Sequence, residues 1–105
     1  MSNEMKFADR VVMVSGAASG IGKAAALEFA RQGALVVGAD LDEAGGQALV
    51  AQIQQGGGKA EFVRTNVSRE DDIAALIHGL GERHGRLDVA FNNAGISGEP
   101  MPLVK

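Results

Sequence analysis

Val11-Val12-Met13-Val14-Ser15-Gly16-Ala17-Ala18-Ser19-Gly20-Ile21-Gly22 is the stretch that decides the fold of this chain. Its opening apolar run predicts a strand over about Arg10–Ser15. Gly16, Gly20 and Gly22 then form a turn, and Lys23-Ala24-Ala25-Ala26-Leu27 begins a helix that runs from about Gly20 to Gln32 and stops at Gly33. Glycines at a strand–turn–helix junction let the backbone pass close to a ligand that any Cβ would obstruct. The helix turns its free N–H groups and the positive end of its dipole toward that turn, which suits an anion. The backbone around Ser19, Gly20, Ile21 and Gly22 therefore faces the expected phosphate, with Gly16 setting the turn and the Ser19 hydroxyl adding a bond.

The kind of phosphate follows from the spacing. A nucleoside-triphosphate loop, G-x-x-x-x-G-K-[ST], needs Gly at position 17 and a hydroxyl at 24, and both positions are Ala. The glycines instead follow G-x-x-x-G-x-G. The next apolar run, Ala34–Ala39, predicts a second strand and ends in Asp40, 18 residues after Gly22. A carboxylate near that spacing accepts from both ribose hydroxyls of a dinucleotide. It also repels a 2′-phosphate, and neither Ala17 nor Leu41 supplies a cation to offset it. The expected cofactor is NAD in preference to NADP, held by Asp40 with Leu41 beside it. Asp42 is better placed than Asp40 to cap the following helix, which runs to Gln55.

Gly16-Ala17-Ala18-Ser19-Gly20-Ile21-Gly22, Asp40, Asn66-Val67 and Asn92-Asn93-Ala94-Gly95, in this order and spacing, make the chain resemble the short-chain dehydrogenase/reductase family from about Phe7 onward. Two positions depart from the family pattern: Ser15 stands where Thr is usual, and Asn66 where many members carry Asp. The resemblance implies that Asn66 and Val67 read the adenine edge, the Asn66 amide oxygen accepting from the adenine amino group. It also implies that Asn93, Ala94 and Gly95 pass close to the adenosine and nicotinamide ribose. For Asn92 a structural role in the turn and a binding role are equally open.

The remaining chain reads as two more strand–helix steps. A third strand covers about Ala60–Arg64. A third helix starts at Ser68, where Ser68-Arg69-Glu70-Asp71 has the form of a capping box. Ile73, Leu76, Ile77 and Leu80 share one face of that helix. A fourth strand spans about Leu87–Phe91, with Asp88 closing the loop before it, and 96–105 reads as loop. Right-handed crossovers give an α/β fold: a Rossmann-type, doubly wound parallel sheet in the order 3-2-1-4. The first two helices lie on one face and the third on the other. The glycine turn and the Asn92–Gly95 turn then flank one crevice at the carboxyl ends of the strands.

Composition bounds the function. The 105 residues suffice for one domain, and 46% apolar with 22% charged residues is a globular balance. A net charge of −3 without a basic cluster argues against nucleic acid. With no cysteine, disulfides and thiolate metal sites are excluded; no metal constellation is apparent. The N-terminus lacks a secretory apolar core and no run is long enough to span a bilayer, so the expected location is cytoplasmic.

The resemblance also implies a hydride-transfer chemistry that uses a Tyr, a Lys, a Ser and an Asn, and the chain contains no Tyr. His78 and His84, on the third helix, are expected to be solvated rather than catalytic. No catalytic residue is assigned. The expectation is one dinucleotide-binding domain over 1–105, truncated after the fourth strand, incomplete on its C-terminal side and inactive alone. Its fourth strand should be an unpaired edge, and the face with a single helix should expose an apolar patch that drives self-association or awaits a missing half. The alternative is a non-catalytic nucleotide-binding or oligomerising module.

Overall fold

The computed structural model describes residues 6–92 and the backbone of residues 101–104. Strand β1 covers Val11–Ser15 and α1 Gly20–Arg31; β2 covers Leu35–Asp40 and α2 Glu43–Gln55. Strand β3 covers Lys59–Arg64 and α3 Glu70–His84, followed by β4, Val89–Asn92, and β5, Met101–Val104. The sheet order is β3-β2-β1-β4-β5. The first four strands are parallel, which bears out the Rossmann-type 3-2-1-4 order.

Alternation along the strands divides the core in two. Val12, Val14 and Val36 point to one face, where Ala26 of α1 and Leu49 and Ile53 of α2 cover them. Met13, Val37, Ala39 and Ala90 point to the other, under Leu76 and Leu80 of α3. This is why β1 is apolar at every position: its five residues are all buried. Ile73 and Ile77 pack against the α3 cluster as their spacing requires.

Three expectations are corrected. The edge of β4 is paired, because β5 runs antiparallel along it with Asn92 opposite Met101 and Phe91 opposite Pro102. A proline lacks the N–H a central strand would need, so this segment reads as loop locally and forms a strand only at an edge. The face carrying one helix is not bare over β1 and β2: Met13, Val37 and Ala39 are fully buried and Ala90 nearly so. One helix suffices because the residues beneath it are few and two are alanines. Finally, α3 starts at Glu70 with no side-chain cap. Ser68 instead donates its backbone N–H and its hydroxyl to Asn66 Oδ1, at 3.2 and 2.7 Å. That local Asx turn competes with the capping box and wins, while Glu70, Asp71 and Asp72 place three carboxylates at the positive end of the helix.

Candidate dinucleotide site

The glycine turn has the geometry its sequence demands. Gly16 and Gly20 have φ of 70° and 61°, a region that L side chains rarely adopt. Gly22 is buried in the first turn of α1. Ser19 precedes the helix in an extended conformation, and its side chain makes no capping bond. The first-turn N–H groups have no acceptor within the helix, and the Ser19 hydroxyl is exposed beside them. A phosphate placed there would meet donors that no described residue uses, so the turn fits the pyrophosphate of a dinucleotide.

Asp40 ends β2 next to this turn. Its Oδ2 accepts the Ala18 N–H at 3.0 Å, and its Oδ1 accepts the Asp42 N–H at 3.1 Å. The Ala17 N–H and the Gly16 N–H both reach the Ala39 carbonyl, so the turn is tied to the end of β2 by backbone as well as side chain. Asp42, not Asp40, caps α2, accepting from the Gly45 N–H at 2.9 Å. Among the described residues the exposed large apolar side chains are Ile21 and Leu41, at 59% and 47% exposure. They flank this same region, one on the turn and one just past Asp40.

The structure separates the other sequence candidates. The Asn66 amide oxygen is occupied twice by Ser68, so it is not open to an adenine amino group in this arrangement. Val67 packs with the cluster under α3. Leu41 and Asn66 line a cavity of about 590 Å³ together with Arg64, Thr65 and residues of α3. Asn92 accepts from the buried Ser15 hydroxyl at 2.6 Å across the β1–β4 pair. The hydroxyl that Ser15 shares with the usual Thr thus serves as a tie between strands. Asn93, Ala94 and Gly95 lie outside the described residues.

His78 is exposed, 3.9 Å from Glu82. His84 corrects an expectation: it is not solvated but sits 22% exposed, its Nε2 2.9 Å from Glu61 Oε2 of β3. The approach is close enough for an ion pair when the imidazole is protonated, although its angles make no hydrogen bond. Both histidines are remote from the glycine turn in sequence and sit on α3. Among the described residues no three His, Asp or Glu side chains converge as a metal site. No helix there is long and apolar enough to cross a membrane.

Comparison with known proteins agrees with this geometry. The chain is 45% identical over 93 residues to a 3beta-hydroxysteroid dehydrogenase of Mediterraneibacter gnavus, covering 89% of this chain and 34% of that protein. It is 43% identical over 103 residues to an L-fucose dehydrogenase of Oryctolagus cuniculus, covering 98% and 35%. The chain therefore spans about a third of the length of these curated relatives. A crystal structure of a hydroxysteroid dehydrogenase from Escherichia coli superposes with a TM-score of 0.80 at 34% identity, covering 90% of this chain and 40% of that one. A metagenomic short-chain oxidoreductase crystallised in complex with NADP gives 0.80 at 39% identity, covering 86% and 41%. The glycine turn, the carboxylate tied to it and the 3-2-1-4 sheet fall within residues 10–104, the span matched by the short chain dehydrogenase family model, and the chain belongs to that family.

Proposed function

We propose that the chain binds NAD across the glycine turn and Asp40, as the nucleotide-binding part of an oxidoreductase that moves a hydride between NAD(H) and an alcohol or carbonyl substrate. The observation that supports this reading is the Asp40 carboxylate at the end of β2, hydrogen-bonded to the Ala18 N–H of the glycine turn; in this proposal it accepts the ribose hydroxyls. Gly16, Ser19, Gly20, Ile21 and Gly22 hold the pyrophosphate in this proposal. Leu41 and Val67 offer apolar contact to the adenine, and Asn66 contributes through its amide donor rather than its oxygen. Asn93, Ala94 and Gly95 keep their proposed place along the ribose. The 105 residues carry no Tyr for the proton transfer, so the chain alone is predicted to bind the adenosine half without turnover. A half-buried aromatic group, Phe7, Phe29 and Phe91, borders an apolar cavity of about 500 Å³ beside α1. It is the proposed contact for self-association or for further polypeptide.

The preference for NAD is tested by calorimetric titration of NAD and NADP into the wild-type chain and Asp40→Ala. Wild type should favour NAD, and Asp40→Ala should narrow the ratio of the two affinities. Because Asp40 also holds the Ala18 N–H, the absolute affinity for both should fall, by about tenfold or more. An unchanged ratio would falsify the assignment of Asp40 to the ribose. Measurable turnover of alcohols by the purified chain would refute its inactivity.

A further inference from the structure

One cation beside the candidate nucleotide site, Arg64, has no counter-ion among the described residues. Arg64 ends β3 and is the register partner of Asp40 in the parallel β2–β3 pair. Two residues before each, Phe62 and Gly38 meet on the face covered by α2, where a Cβ on Gly38 would stand 3.6 Å from the Phe62 ring. By alternation Arg64 and Asp40 leave the sheet on that same side. Arg64 is exposed at that end of β3.

Several charged groups of the neighbouring elements are engaged. Asp72 lies 3.7 Å from Arg69, and Arg83 donates to Glu61 at 2.8 Å. At the start of α2, Asp42 accepts from the Gly45 N–H and Glu43 from Gln47 Nε2. Arg64 forms no ion pair among the described residues. Arg64 is thus the register neighbour of Asp40 on the adjacent strand, exposed and without an ion pair among the described residues.

Resting on the nucleotide reading above, we propose that Arg64 is a specificity-determining residue, a cation for a phosphate on the adenosine ribose that lets the site accept a 2′-phosphorylated dinucleotide despite Asp40. Asp40 disfavours that phosphate by like charge, and neither Ala17 nor Leu41 offsets it. A guanidinium on the adjacent strand does so with a forked pair of donors matched to phosphate oxygens. The two residues act in opposition, and the balance between NAD and NADP is set by the pair rather than by Asp40 alone.

The test uses adenosine 5′-monophosphate and adenosine 2′,5′-bisphosphate as probes, titrated into the folded chain and followed by calorimetry at fixed salt. Arg64→Gln should weaken the bisphosphate by about tenfold and leave the monophosphate within about twofold. Arg64→Lys should recover part of the loss. Equal weakening of both probes, or none for the bisphosphate, overturns the role of Arg64 while the nucleotide site stands. If wild type binds neither probe, the nucleotide reading fails and takes Arg64 with it.

Discussion

Asp88 shows how much one side chain can hold. Its carboxylate accepts the Val11 N–H at 2.8 Å and a forked pair from Arg86, and Arg10 lies 3.7 Å away. The Asp88 N–H in turn donates to the Val11 carbonyl, so β1 and the entry to β4 are clipped together at the end opposite the glycine turn. The Arg86 hydrogen bonds, aided by the Val11 N–H, hold the Asp88 carboxyl below its ordinary value of 3.8. A depressed carboxyl adds stability above its unfolded pKa and loses it as pH falls through the folded one. Urea unfolding followed from pH 6 to pH 2 should therefore show stability dropping below about pH 4. Asp88→Ala should cost about 1–3 kcal/mol at neutral pH and flatten that acid limb. An acid limb as steep as wild type would remove Asp88 from its cause. Glu28 offers the contrast: Arg31 and then Gln32 lower it to about 2, yet the group is exposed. Glu28→Gln should barely move the unfolding midpoint, because exposed pairs contribute little.

At the scale of the element, α2 depends on a glycine for contact rather than conformation. A Cβ on Gly46 would stand 2.2 Å from the Phe62 ring, which sits on β3 beneath the helix. Gly46→Ala gains helix propensity of roughly 1 kcal/mol but forces the ring aside, at about 1–3 kcal/mol. Net destabilisation in chemical denaturation is the expected result, and Phe62→Leu in the same chain should recover most of it. Such a contact joins distant residues, and nothing in Gly45-Gly46 announces it. What was legible in the elements was local: the Asp42 cap, the Gly33 stop, the helical spacing of Ile73, Leu76, Ile77 and Leu80. The start of α3 was misread because two local patterns overlap, and the Asn66–Ser68 turn outcompetes the Ser68 capping box. Strand β5 was missed because its pairing is supplied by β4, not by its own Pro-containing residues. In the candidate site, the place of Asp40 at the end of β2 was legible from the apolar run that precedes it. Its bond to the Ala18 N–H was not, since two segments 22 residues apart make it.

At the scale of the whole molecule, the two-sided core explains why one ligand site can report on global stability. Both the glycine turn and Asp40 are attached to β1 and β2, the strands whose residues are buried on both faces. A nucleotide that binds only the folded chain raises its stability by mass action. NAD at ten times its Kd should add about 1.4 kcal/mol, a rise of roughly 5–10 °C in Tm for a domain of this size. Differential scanning fluorimetry with and without NAD checks this, and a Tm indifferent to NAD at millimolar concentration would contradict the proposed site. The bond from the Ala18 N–H to Asp40 carries a further consequence for how tightly and how fast such a ligand is held. Because that bond holds the carboxylate in the free chain, the ribose contact proposed for it need not freeze the side chain again. The entropic penalty of ordering the acceptor belongs to folding, and the binding step is left with the ligand's own.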